Sequence, residues 1–241
     1  MSKNSAYAHS LISQKTAHHP VELRIHSGIA ELDHLLGGFL ANTITFLQAD
    51  SKYLSKISNQ LCVQTYRTFS STSLFVDAGA CIDPYKIAHY AKQLEEDSRE
   101  VLKHVLVSRT FTLYQLQAFV LHDLEILLEK HAPRTLILGG FPQLFSDLDI
   151  PKDERHTILL NILKKIRILC EHYDLIMMLT TTTRHCAGWL RTTIEDCCDE
   201  TLRFRTLDKC TYIDAVKKQI GTVILHLGKG QLRLEHFGLV V

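Results

Sequence analysis

From residue 43 onward, short continuous apolar runs alternate with stretches in which apolar residues recur at helical spacing. The runs are Thr43–Gln48, Ser73–Asp77, His104–Ser108, Thr135–Leu138 and Leu175–Thr180. Continuous rather than alternating apolar character predicts strands covered on both faces. Between the runs, Ile87, Tyr90, Ala91 and Leu94 fall on one helical face. Leu116, Phe119, Val120, Leu124, Leu127 and Leu128 form a second stripe, and Ile158, Leu159, Ile162, Leu163, Ile166 and Leu169 a third. Strand and helix in alternation require crossover connections, so the pattern predicts an α/β fold, a mostly parallel sheet flanked by helices. Toward the end of the chain the pattern shifts to short runs at Thr201–Thr206, Thr222–Leu227 and Leu232–Phe237. The last two are separated by Gly228-Lys229-Gly230, a hairpin signal. C-terminal antiparallel strands appended to one edge of the sheet are therefore expected.

Composition narrows the class. The 241 residues suffice for one large α/β domain or two small ones. Residues 1–20 are polar and aperiodic and read as a flexible N-terminal arm, with a single core over 21–241. A net charge of +1 gives no global field toward nucleic acid or membrane, so any such contact must be a local patch. The seven cysteines are odd in number and several lie in apolar runs. With no apolar leader before them, they suit reduced thiols of a cytoplasmic or nuclear, nucleoid-associated protein rather than a secreted one. No apolar stretch is long enough to span a bilayer.

In nucleotide-binding α/β proteins the loop after the first strand wraps phosphates. Its glycines admit backbone N–H groups, a Lys reaches the phosphates and a Ser or Thr holds Mg²⁺. Here that segment is Gln48–Lys56 and contains no glycine; Tyr53 and Leu54 are bulky, and Asp50 would repel a phosphate. Lys52, Ser55 and Lys56 are the candidate anion contacts, and the plainer reading is two solvated lysines at a helix start. The run Thr135–Leu138 ends in Gly139-Gly140, with no carboxylate before Asp147. Asp77 closes the run Ser73–Asp77 and is the remaining acidic candidate, its plainer role a helix cap or turn residue.

His26–Gly38, HSGIAELDHLLGG, resembles the TGxxELDxLLGGG segment that opens the RecA/RadA-type recombinase core. Ser73–Asp77 followed by Pro84 resembles the family's YIDTEGTFRPERL segment, and Val107–Phe111 its ARAF strand end. Thr135–Phe145 resembles the Walker B strand, and Leu175–Thr182 the strand carrying the TNQ sensor. The resemblance implies a RecA-like P-loop NTPase core over residues 21–241. LDxLLGG is shared with KaiC-like proteins, and the order of segments favours the RadA branch. Departures from the pattern decide the expected activity. Ala49 and Leu54 replace the P-loop glycines, Ser55 and Lys56 stand where Lys and Thr belong, Gly79 stands at the catalytic Glu position and Gly139 at the Walker B Asp position. Each loss removes a different contribution: phosphate cradle, charge neutralisation, water activation and metal binding.

The expectation is a degenerate RadA paralogue, a pseudo-ATPase without cofactor, to which ATP binds weakly or not at all. It would serve homologous recombination or DNA repair by binding a RadA-type recombinase, another paralogue or single-stranded DNA. Two alternatives stand beside it: a KaiC-like regulatory or scaffold protein without a DNA role, and an ATPase with relocated phosphate contacts. Thr183–Arg191 follows the fifth run, where the resemblance places the second DNA-binding loop. Arg184, His185, Trp189 and Arg191 combine cations for phosphates with an aromatic for stacking, against a solvated loop with Trp189 packed on the body. His185, Cys186, Cys197, Cys198 and Cys210 lack the paired spacing of a zinc knuckle, so no metal is expected.

Overall fold

The structure, a computed structural model, describes residues 23–182, 184–186, 188–207, 210–216 and 222–225. The expected arm, the Gly228-Lys229-Gly230 turn and the run Leu232–Phe237 lie outside these residues. The first described elements are a two-stranded antiparallel ribbon, β1 (Arg24–Ile25) with β2 (Phe39–Leu40), around helix α1 (Ala30–Leu36). The HSGIAELDHLLGG segment shapes this unit directly. The Asp33 carboxylate accepts from the backbone N–H of Ser27 at 2.6 Å and of Gly28 at 3.1 Å, which fixes the turn into the helix. Gly37 ends α1 in the left-handed region at φ 69°, a conformation that glycine takes without steric cost.

The apolar runs become the centre of one eight-stranded sheet. Its strands are β3 (Thr43–Ala49), β4 (Ser73–Asp77), β5 (Val105–Arg109), β6 (Thr135–Gly139), β7 (Ile176–Thr182), β8 (Glu200–Leu207), β9 (Cys210–Ala215) and β10 (Thr222–Leu225), in the order β10-β9-β8-β3-β7-β6-β4-β5. All pairings from β8 to β5 are parallel, and β9 and β10 continue antiparallel. The expected antiparallel strands at one edge are present, with one refinement: the run at Thr201–Thr206 is β8, which pairs antiparallel to β9 on one side and parallel to β3 on the other. Helix α8 (Trp189–Cys197) lies between β7 and β8 and returns the chain for another parallel pass. The first antiparallel strand is β9, which the apolar pattern misses because its sequence, CTYIDA, is mixed.

Helices cover both faces. One face carries α1, α2 (Ser51–Phe69), α3 (Pro84–Gln93) and α4 (Ser98–Lys103). The other carries α5 (Leu113–Ala118), α6 (Leu124–His131), α7 (Lys152–His172) and α8. Successive strand residues serve opposite layers: Leu136 and Leu138 pack toward α7, and Ile137 between them packs toward α2. This two-sided burial is why the runs are continuously apolar. All six residues of the α7 stripe, from Ile158 to Leu169, are buried. The stripe at Leu116–Leu128 is not one regular helix, because residues Phe119–Asp123 form a π turn between α5 and α6. Phe119, Val120, Leu124 and Leu128 are buried across that interruption.

Ile162 is fully buried in α7, whereas Ile168 on the same helix is 51% exposed. Ile162→Ala should lower unfolding free energy by about 2–5 kcal/mol, and Ile168→Ala by less than about 0.5 kcal/mol. Urea titration of both variants checks the contrast.

Candidate functional site: a cleft at the strand ends

Parallel strands bring the loops after β3, β4, β6 and β7 to one edge of the sheet, where open α/β sheets hold ligands. The expected loop Gln48–Lys56 is absent there. Strand β3 continues to Ala49, Asp50 stands alone, and α2 begins at Ser51. Without glycine the segment has no reason to leave the helix, and two side chains pin it as helix. Tyr53 is buried, its hydroxyl is 2.6 Å from Thr211 Oγ1, and its ring lies 5.4 Å from that of Phe204. Leu54 is buried beside it. Asp50 occupies the N-cap position without a side-chain bond to the first turn, and that turn carries no acidic residue.

The two positions assigned to catalytic and metal-binding carboxylates are closed as well as unoccupied by acids. A Cβ on Gly139 would lie 2.6 Å from Phe75 Cε1. A Cβ on Gly79 would lie 2.9 Å from Gly140 Cα and 3.1 Å from both Cys81 Sγ and Gln143 Nε2. Gly140, at φ 71°, would meet Gly79 Cα at 2.8 Å in the same way. The loops after β4 and β6 therefore touch backbone to backbone. Gln143 strengthens the contact by donating from Nε2 to the Ala78 carbonyl. These residues do not fit a magnesium nucleotide held in the manner the family resemblance implies.

Asp77 is fully buried and serves the turn. Its Oδ1 accepts from the Cys81 backbone N–H at 2.8 Å, and its Oδ2 accepts from Arg109 Nη2 at 3.0 Å. Its turn role was legible; its partner Arg109, opposite it in the register of the neighbouring strand β5, was not.

A cleft of about 680 Å³ remains between the start of α2, the β4–α3 loop, Gln143 and the end of β7. Lys52, Ser55 and His185 line it; Lys56 and Asp77 do not. Lys86, which sequence reasoning passed over, lines it too and donates from Nζ to Ser55 Oγ at 2.9 Å. Its position two residues after Pro84, in the first turn of α3, is the signal that could have found it.

The proposed DNA-contacting residues separate. Arg184 and His185 are exposed, and His185 Nδ1 lies 3.0 Å from Thr182 Oγ1. Trp189 and Arg191 belong to α8, a correction to the reading of 183–191 as one loop. Trp189 packs on the core with its ring 5.5 Å from that of His156, because the helix start turns it onto the body. Arg191 Nε lies 4.0 Å from Glu195, which also pairs with Arg203. On α7, Lys165 and Arg167 pair with Glu125 at 2.6 Å and Asp199 at 2.7 Å.

Burial pushes the Cys62, Cys170 and Cys186 thiols up to about 12. Burial, with the Asp77 charge second, pushes Cys81 up to about 11. Neutral thiols are poor nucleophiles and poor ligands. Among the described residues no group of three His, Cys, Asp or Glu side chains could hold a metal ion, and no helix is long and apolar enough to cross a membrane.

A mostly parallel sheet with helices on both faces, an Asp33-locked opening segment and a C-terminal antiparallel edge define a RecA-like α/β core. A Rad51 family model matches residues 20–188, well over half of the chain, and the protein belongs to that family of RecA/RadA-type recombinases. No curated protein matches the chain.

Because Phe75 fills the space, Gly139→Asp should destabilise the fold by about 1–3 kcal/mol through overpacking, read as a lower urea midpoint. Cys81 should alkylate slowly: at pH 8 its thiolate fraction is about a hundredfold below that of an ordinary thiol. Iodoacetamide labelling followed by peptide mass analysis measures it, and the rate should climb toward pH 11.

Proposed function

We propose that this Rad51-family chain is a non-catalytic accessory factor of homologous recombination or DNA repair that works by binding a recombinase partner. The observation that carries the reading is the filling of both carboxylate positions by the chain itself: Phe75 against Gly139, and Gly140 against Gly79. Phosphoryl transfer in this fold depends on metal binding and water positioning at those places. With α2 starting at Ser51, no glycine-rich loop precedes the helix, and the Tyr53 and Leu54 N–H groups already donate to the Asp50 carbonyl at 2.9 and 3.1 Å.

Docking is supported by the sheet edge at β5. Among the described residues its outer side pairs with no strand. Val107 is 50% exposed, and Phe111 and Tyr114 just beyond it are also exposed. An exposed apolar edge accepts an added strand through its free backbone groups. A second reading, direct contact with single-stranded DNA, rests on the exposed Arg184 and His185 alone.

Purified protein should release no phosphate from Mg-ATP above a buffer control, with or without single-stranded DNA, and millimolar Mg-ATP should leave the melting temperature unchanged. Turnover that co-purifies with the chain and disappears in a Lys52→Ala, Lys86→Ala double variant would overturn the reading. Val107→Lys, on the exposed edge, should abolish co-purification with the native RadA-type recombinase while leaving the melting curve in place. For the second reading, Arg184→Ala should weaken oligonucleotide binding and lower its salt slope by about one.

A further inference from the structure

The cleft at the strand ends has the volume of a ligand pocket, about 680 Å³. Its charges are few and their arrangement is uneven. Lys86 Nζ is held 2.9 Å from Ser55 Oγ, which draws it across the cleft toward α2. Lys52, exposed on the first turn of α2, has its Nζ 4.7 Å from the centre of the Tyr53 ring. Asp83 is the single carboxylate among the described residues of the lining. Its Oδ1 is committed to the backbone N–H groups of Tyr85 and Lys86, at 3.0 and 3.2 Å, where it caps α3. Its Oδ2 lies 3.7 Å from Lys86 Nζ. Two ammonium groups against one carboxylate leave one net positive charge, with histidine counted as neutral. The rest of the wall joins polar side chains, among them Gln143 and Thr181, to apolar ones: Leu54 is buried, Ile82 lies on the β4–α3 loop, and Tyr85 stands 88% exposed.

We propose that this cleft receives an acidic side chain, flanked by apolar residues, from a segment of a partner protein, with the carboxylate seated between Lys52 and Lys86 and no divalent cation. The inference rests on the accessory reading above and names the chemistry of its partner. Charge balance selects the occupant. A triphosphate carries several negative charges, and neither a glycine-rich backbone cradle nor a metal-binding carboxylate is present to manage them. One carboxylate matches the single net positive charge and gains charge-assisted hydrogen bonds from two ammonium donors. Apolar neighbours in the same segment would cover Ile82 and the ring of Tyr85, an aromatic placed as interface anchors are.

The test is a titration of the intact protein with acetyl-Leu-Glu-Phe-amide and its glutamine counterpart, in EDTA, followed by backbone amide NMR shifts. The glutamate peptide should shift Ser51, Lys52, Ser55 and Lys86. The glutamine peptide should bind at least about tenfold more weakly. Lys86→Met should lose the difference between peptides and Lys86→Arg should keep it, both with unchanged melting curves. Equal binding of the two peptides, no shift at these residues at millimolar peptide, or shifts there that need tripolyphosphate with Mg²⁺ would each overturn the inference. ATP turnover would sink the accessory reading itself, whereas a silent peptide titration without turnover removes only the acidic segment.

Discussion

The approach of Gly79 to Gly140 is the constraint on which the functional edge of this molecule is arranged. Each glycine's missing Cβ is the space taken by the other's Cα. With those two backbones in contact, Gln143 can reach the Ala78 carbonyl, and the β4 turn can fold under so that Asp77 accepts from Cys81 N–H. The two loops behave as one floor. The cleft above it is bounded by the start of α2, the β4–α3 loop and the end of β7.

Electrostatics at this edge divide into an inner and an outer set. Inside, Asp77 is fully buried and its charge is met by Arg109, itself half exposed, and by a backbone N–H. A buried carboxylate that lost either partner would be left uncompensated, so this pair fixes geometry more than it adds stability. Outside, the lysines of the cleft are solvent-accessible and only lightly committed. That asymmetry separates acids that hold the turn from cations available to another molecule.

Much of the fold was legible because two-faced burial writes itself into continuous apolar runs. The strands β3, β4, β5, β6 and β7 fall within a residue or two of the runs, and the α7 stripe is buried along its whole length. What escaped was set by partners remote in sequence. β9 is held by its ladder to β8 rather than by its own composition, and the direction of β8 follows from the α8 crossover. The site was half legible. The absence of glycine before α2 pointed to a changed cradle, but a sequence does not show that Tyr53 would reach Thr211 and turn the segment into helix. Trp189 read equally as a stacking platform or as packed on the body, and the start of α8 places its ring beside His156. Lys86 was passed over because, beyond its place in the first turn of α3, its meaning lies in Ser55, a residue on another helix.

The junction of β3 with α2 also bears on what substitution can change. For a phosphate loop to form there, about one and a half turns of helix from Ser51 to Lys56 would have to unwind. Tyr53 would have to leave Phe204 and Thr211, and Phe75 would have to withdraw from Gly139. No single substitution accomplishes any two of these, and each alone disrupts a packed core. Tyr53, Phe75 and their partners therefore act as one interlocked unit beneath the cleft, which substitutions on the surrounding surface leave untouched.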